Sequence, residues 1–397
     1  MKIINIRDSA QATAIFKKIG VDPYGIDAMF LKTINLNILI EDKPCKIANI
    51  IKQEMLSAGG DAAVARGSVG NSVASTDILI MGTIKQIATL ANKIEKQPFG
   101  LNIISQNLRE LLKNISSREY ILKTSCREIP LGRKTQIMGI LNVTPDSFSD
   151  GGLYYNQQKA IEHGLQMVAQ GADIIDIGGE STRPGAAAVS TKEELKRVLP
   201  VINEISRQTK IPVSIDTTKS PVAREAIAAG AEIVNDVSAL QGDKKMAQVV
   251  KEGQAAVILM HMRGKPQNMQ KGDLTYGNLM GEIIAFLGKS IEKTKAAGIE
   301  KGYLVIDPGI GFGKTPEDNY RIINRLSELK TLGLPIMIGT SRKTFIGKIT
   351  GGEPQERLEG TAATVVAAIL NGCHIIRVHD VAYMKKIAAV TDAILHA

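Results

Sequence analysis

Tryptophan is absent and aromatic residues make up only 4% of the chain, so Ile, Val, Leu and Ala must pack the core in place of rings. Cysteine is scarce. Cys45, Cys126 and Cys373 share no CxxC or Cys/His spacing, which excludes a disulfide scaffold and a zinc site and suits a reducing cytoplasm. Also missing is any apolar run near the roughly 20 residues that cross a bilayer. The start MKIINIRDSAQ is too polar for a signal segment, so no membrane association is expected. Lys+Arg 49 against Asp+Glu 40 leaves a formal charge of +9, yet no dense basic tract interleaved with aromatics appears. Nucleic acid is therefore not expected as a partner, whereas anionic small substrates are.

What is present is an alternation. From Gln136 onward, apolar runs rich in Ile and Val are followed by a Gly-containing or polar loop and then by a stretch with helical spacing of apolar residues. Eight such runs can be read: 136–142, 172–179, 212–217, 232–238, 256–261, 303–309, 335–341 and 375–380. Near-continuous apolar strands alternating with helices indicate a parallel sheet covered by helices, and eight βα units predict a closed (β/α)8 TIM barrel over 136–397. A doubly wound open sheet is the runner-up. Ahead of it, residues 1–125 read as a smaller α+β domain of ferredoxin-like βαββαβ order, with GLNIIS (100–105) as its last strand and 126–135 as a linker. No catalytic cluster accumulates in that first domain.

Each barrel run turns polar at its C-terminal end, where barrel enzymes place their chemistry. The residues concerned are Asn142, Glu180, Asp216, Asn235, His261, Asp307, Arg342 with Lys343, and Arg377 with His379. A lone Asp or Asn after a strand is often only a helix cap or turn residue. Eight successive polar strand ends are hard to explain as eight caps. Asp176, in the middle of an apolar strand, must meet Arg377 or Lys343 or accept several hydrogen bonds, because a carboxylate buried alone is costly.

The segment GILNVTPDSFSDGG (139–152) resembles the first-strand signature of dihydropteroate synthases. ADIIDIGGESTRPGA (172–186), SIDTTK (214–219), NDVSAL (235–240), DPGIGFGK (307–314), GTSRKTFIG (339–347) and RVHD (377–380) continue the resemblance in order. It implies a transferase of folate biosynthesis, a sulfonamide target, that joins 4-aminobenzoate to 6-hydroxymethyl-7,8-dihydropterin diphosphate and releases diphosphate. Two alternatives are a methyltetrahydrofolate-dependent methyltransferase, which has no need of a diphosphate clamp, and an inactive pterin-binding regulatory protein.

The resemblance also implies roles. Asp216, Asn235 and Asp307 read the donor-bearing edge of the pterin, as acceptor side chains suit, and Lys343 donates to its carbonyl or ring nitrogen. Arg377 and His379, two apart on the last strand and so expected on one face, form an anion clamp. Asn142 helps hold Mg²⁺ on the diphosphate. Phe148, Asp150, Thr182, Arg183 and Pro184, on the loops after the first two strands, surround aminobenzoate and diphosphate. Lys343 and Thr344 face the aminobenzoate, with Thr344 near a helix N-terminus. The catalytic set is then Arg377, His379, Lys343 and Asp150, and a homodimer is expected. Asp380 reads as the cap of the helix beginning at Val381. GIGFGK (309–314) superficially matches a phosphate loop but lacks GxxxxGK[ST] spacing and is set aside.

Overall fold

A strand that is apolar on both faces has to be covered on both. The eight runs from Gln136 meet that demand by pairing in parallel and closing on themselves. The computed structural model describes the chain apart from residues 5, 7, 8, 71, 145–152, 182–187, 265–267 and 271, and apart from the side chains of 27 and 153–156. It divides into two compact units, Met1–Ser116 and Ser117–Ala397.

In the first unit β1 (Asn35–Pro44), β2 (Asp61–Ala63) and β3 (Ser75–Thr83) form an antiparallel sheet in the order β1-β3-β2. Ile38, Ile78 and Ile80 on one face of it pack with Ile51, Met55, Ile87, Leu90 and Leu108 of the helices Cys45–Ser57, Ile84–Ile94 and Leu101–Ser116. The unit is α+β, with one strand fewer than the ferredoxin-like order requires. GLNIIS opens a helix: Leu101, Ile104, Leu108 and the partly buried Leu111 recur at helical spacing across Leu101–Ser116, and that longer period outweighs the brief apolar run.

The second unit begins with a hairpin, β4 (Tyr120–Lys123) and β5 (Glu128–Leu131). The barrel strands follow: β6 (Gln136–Asn142), β7 (Ile174–Gly178), β8 (Val213–Asp216), β9 (Ile233–Asp236), β10 (Ala256–Met260), β11 (Leu304–Asp307), β12 (Met337–Ile338) and β13 (Ile375–Val378). Their order β11-β10-β9-β8-β7-β6-β13-β12 is closed by a parallel bridge between Ile306 and Ile336. Outward residues such as Ile175, Ile215, Val234, Leu259 and Ile306 pack under the surrounding helices. The inward ones at the N-terminal end, Met138, Ile174, Ile233, Ile258, Val305 and Ile375, form a separate apolar floor with Leu122, Ile129 and Leu131 of the hairpin.

Residues 126–135, expected as a linker, are therefore largely part of the barrel unit. Arg127 bonds Glu232 (Nε to Oε2, 3.0 Å), and Thr124 donates to the same carboxylate at 2.7 Å. The alternating apolar residues of the hairpin have a buried face to fill, which a linker would not. Leu131→Ala should cost about 2–4 kcal/mol, the usual range for emptying a buried leucine site. Urea unfolding of the full chain checks this, and a change under 1 kcal/mol would mean that the hairpin does not seal the floor.

Candidate active site

The strand ends converge on one polar layer above that floor. Registers place Asn142, Gly178, Asp216 and Asn235 side by side on β6 to β9. A side chain at Gly178 would begin 3.8 Å from Asn142 Oδ1 and 3.6 Å from Asp216 Cβ, so those two groups flank a bare glycine. One layer down, Asp176 pairs in register with Ser214.

Arg377 of β13 reaches across this layer. Its Nε donates to Asp176 Oδ2 at 2.6 Å and its Nη2 to Asp216 Oδ2 at 2.8 Å. Asn235 Nδ2 donates to the same Asp176 oxygen at 3.0 Å. Of the two cations expected for Asp176, Arg377 is the one that meets it, and the carboxylate accepts a second hydrogen bond from Asn235. Asp176 Oδ1, Ser214 Oγ, Asp216 Oδ1 and Asn235 Oδ1 are buried without a hydrogen-bond partner. Four such atoms in two adjacent layers would be costly in a protein interior unless a ligand answers them. Burial pushes the Asp216 carboxyl up to about 7, against the pull of Arg377 and with a push from Asp176.

On the far side stand Asp307 and Lys343. Asp307 is buried; its Oδ1 accepts from Gly309 N at 2.7 Å, and burial raises its pKa while the Lys343 charge opposes that. Lys343 Nζ donates to the Ile310 carbonyl and lies 4.9 Å from the centre of the Phe312 ring. Burial brings its ammonium down to about 8, with Asp307 holding it up and Arg377 pressing it down. Thr344, the first residue of the helix Thr344–Thr350, is exposed.

Two Arg377 donors are committed to carboxylates, while the His379 backbone N and Nδ1 both meet Ser341 Oγ, at 3.2 and 3.1 Å. Two expectations need correction. Asp380 occupies the cap position of its helix but makes no side-chain capping bond; its carboxylate takes both ends of the Arg342 guanidinium, at 2.5 and 3.0 Å. Glu180 does not face the layer as a free strand-end group, because Lys219 bridges it to the buried Glu194 at 2.5 Å each. Phe148, Asp150, Thr182, Arg183 and Pro184 lie outside the described residues.

Two contributors escaped the sequence reading. Ser214 lies two before Asp216 on one strand and so on the same face, a period that was available to read. Lys314 sits in the segment set aside as a false phosphate loop. It is 2% exposed, and its Nζ lies 2.9 Å from His261 Nδ1 and donates to the Gly309 and Phe312 carbonyls at 2.9 and 3.1 Å. His261 is thus a partner of this lysine, and a side chain on Gly309, at φ 68°, would run into the His261 carbonyl. Gly311 and Gly313 give their carbonyls to Gln270 and Tyr276, at 2.6 and 2.9 Å. The loop from Gly309 to Gly313 is pinned at every carbonyl and forms a fixed wall beside Lys343.

The description of pterin binding enzymes matches residues 138–379. A dihydropteroate synthase of Synechocystis sp. is 49% identical over 265 residues, covering 66% of this chain and 91% of that protein. The crystal structure of dihydropteroate synthase from Clostridium difficile, in the presence of pteroic acid, aligns with a TM-score of 0.63 at 50% identity, covering 66% of this chain and 98% of that one. A probable bifunctional folylpolyglutamate synthase/dihydropteroate synthase of Haloferax volcanii is 37% identical over 357 residues, 87% of this chain and 42% of that protein. That match is longer than the barrel unit, so it includes part of Met1–Ser116.

Lys314→Met would leave a ring nitrogen and two carbonyls without their donor, at about 1–3 kcal/mol for each group left unmatched. Burial brings the Lys314 ammonium down to about 7, so between about 7 and its ordinary range the unfolded chain binds the extra proton. This group therefore makes stability rise with pH across that window. Urea unfolding at pH 7 and 9 should show a smaller rise in Lys314→Met than in the parent. An equal rise would remove Lys314 from its buried post.

Proposed function

The chain belongs to the pterin-binding enzymes and, among them, to the dihydropteroate synthases, and we propose that the polar layer of its barrel is the pterin site. The observation that carries this reading is the set of buried acceptors lacking donors. A pterin edge offers amino and ring N–H groups, and Asp216 Oδ1 and Asn235 Oδ1 are placed to accept them, with Asp307 on the opposite strand ends. The reaction is a folate-biosynthetic transfer of the pterin methylene to 4-aminobenzoate, and the methyltransferase alternative is not favoured.

The amine nitrogen attacks the methylene carbon, the C–O bond to diphosphate breaks, and the amine gives up a proton. Lys343 exchanges the Ile310 carbonyl for the pterin carbonyl or ring nitrogen. Arg377 offsets one of the two charges of Asp176 and Asp216, and His379 is the further group at this strand end that favours the departing diphosphate. Mg²⁺, when bound, neutralises that diphosphate. Asn142 would hold it through one amide oxygen, a hard donor that suits such an ion; among the described residues no group of three His, Cys, Asp or Glu could hold a metal by itself. Thr344, beside a helix start, suits the aminobenzoate carboxylate, and Phe312 adds an aromatic wall near Lys343. The roles implied by family resemblance for Phe148, Asp150, Thr182, Arg183 and Pro184 complete the set.

We assign this chemistry to Ser117–Ala397 and none to Met1–Ser116, whose role we take to be packing, assembly or regulation. Among the described residues no helix is long and apolar enough to cross a membrane. Three free cysteines fit a cytoplasmic setting. A homodimer fits the outer face of the last two helices: Tyr383, Val390 and Ile394 of Val381–Leu395 are 42, 62 and 62% exposed, beside Leu370 of Leu358–Leu370 at 44%.

Release of diphosphate should depend on 4-aminobenzoate, and Asp307→Ala should weaken pterin binding about 10- to 100-fold, the scale of one lost buried acceptor. Calorimetry with a pterin lacking diphosphate checks the second point, and unchanged affinity would overturn the pterin assignment. Arg377→Ala should lower stability as well as turnover, by about 3–5 kcal/mol, because it leaves two buried carboxylates unbalanced. Pterin affinity should follow a bell in pH. It falls below about 7 as Asp216 takes up a proton and above about 8 as Lys343 loses one. In Asp216→Asn the acidic limb should vanish while the alkaline limb stays.

A further inference from the structure

We propose that Asp176 is a positioning residue that decides which end of the Asn235 amide meets the ligand. The proposal rests on the reading of Asn235 as a pterin-edge acceptor and adds what makes it one. An asparagine amide is nearly symmetric in shape but not in chemistry: turned one way it offers an oxygen acceptor, turned the other way two N–H donors. Nothing in the strand fixes that choice. Asp176 does, because a carboxylate paired with Arg377 accepts and does not donate.

The geometry is specific. Asp176 is fully buried in the middle of β7, where an apolar residue would serve packing better. Its Oδ2 receives Asn235 Nδ2 at 3.0 Å and Arg377 Nε at 2.6 Å. With the amide nitrogen engaged below, Asn235 Oδ1 is left as a buried acceptor with no partner. The reversed amide would set its oxygen against the Asp176 carboxylate, losing a charge-assisted bond and adding a repulsion at a buried position. Arg377 also ties Asp216 at 2.8 Å, and Asp216 stands in register with Asn235. One arginine–aspartate pair thereby orients two neighbouring acceptors alike. Such a row favours a ligand with adjacent N–H donors and disfavours one with a carbonyl in place of the amino group.

A reciprocal exchange tests this. Calorimetry of 6-hydroxymethylpterin binding to the full chain should show Asn235→Asp at least 100-fold weaker, because two carboxylates then meet. Asp176→Asn should be at least 10-fold weaker. The double variant Asp176→Asn/Asn235→Asp restores one amide donating to one carboxylate, with an acceptor oxygen still facing the ligand, and should bind within about 10-fold of the parent. A double variant that binds no better than Asp176→Asn overturns the proposal. If neither single variant weakens binding, Asn235 does not read the pterin at all, and the functional reading fails instead. A measurement on the parent alone covers variants that do not fold: the 2-amino pterin should bind at least 100-fold more tightly than its 2-oxo analogue. Equal affinities would overturn the proposal, since an acceptor row cannot favour both.

Discussion

The site depends on one partly buried cation that serves two carboxylates. Arg377 crosses the top of the barrel to meet Asp176 and Asp216, and without it two carboxylates on adjacent strands would face each other in a layer that solvent scarcely reaches. Such a pair is seldom a source of net stability, because burying the charges costs about as much as their attraction returns. What it provides is orientation. Acceptor oxygens are held toward one side by groups that have no alternative partners.

The barrel accommodates this polar layer by separating functions along its axis. The N-terminal half of the interior is an apolar floor in which Met138, Ile174, Ile233, Ile258, Val305 and Ile375 close against the hairpin residues Leu122, Ile129 and Leu131. The C-terminal half carries the charges. Because the floor excludes water from below, electrostatic interactions above it keep more of their strength. The hairpin therefore supports the chemistry from the opposite end of the barrel. Lys314 does something similar from the side, fixing the Gly309 and Phe312 carbonyls while Lys343 holds the Ile310 carbonyl. One lysine is fully enclosed and the other borders the site.

Much was legible in order along the chain. Strand periodicity and polar strand ends located the eight barrel strands within a few residues and brought Asn142, Asp216, Asn235, Asp307, Lys343 and Arg377 forward as candidates, since strand-end position is itself a local property. The barrel's closure, its eight-strand order and the α+β character of the first unit agree with that reading. GLNIIS misled because six residues are too few to separate a strand from the start of an amphipathic helix. The stretch 126–135 misled because whether alternating apolar residues are buried depends on what lies opposite them.

What only the tertiary structure decided is which of several chemically equivalent partners each polar group takes. Asp176 had Arg377 and Lys343 as possible cations, and chain separation offers no preference between them; the barrel brings Arg377, 201 positions away, to 2.6 Å. Asp380 was a cap by position, and Arg342 claims it because the loop after β12 folds back over β13. Lys314 looked like part of a discarded motif until burial made it the post of a glycine loop. The sequence by itself determined the alternation of apolar strand and helix, and with it the fold and the height at which the polar residues stand, because those depend on periods of a few residues. Pairing within that layer depends on distances between strands far apart in the chain, and only closure of the barrel sets them.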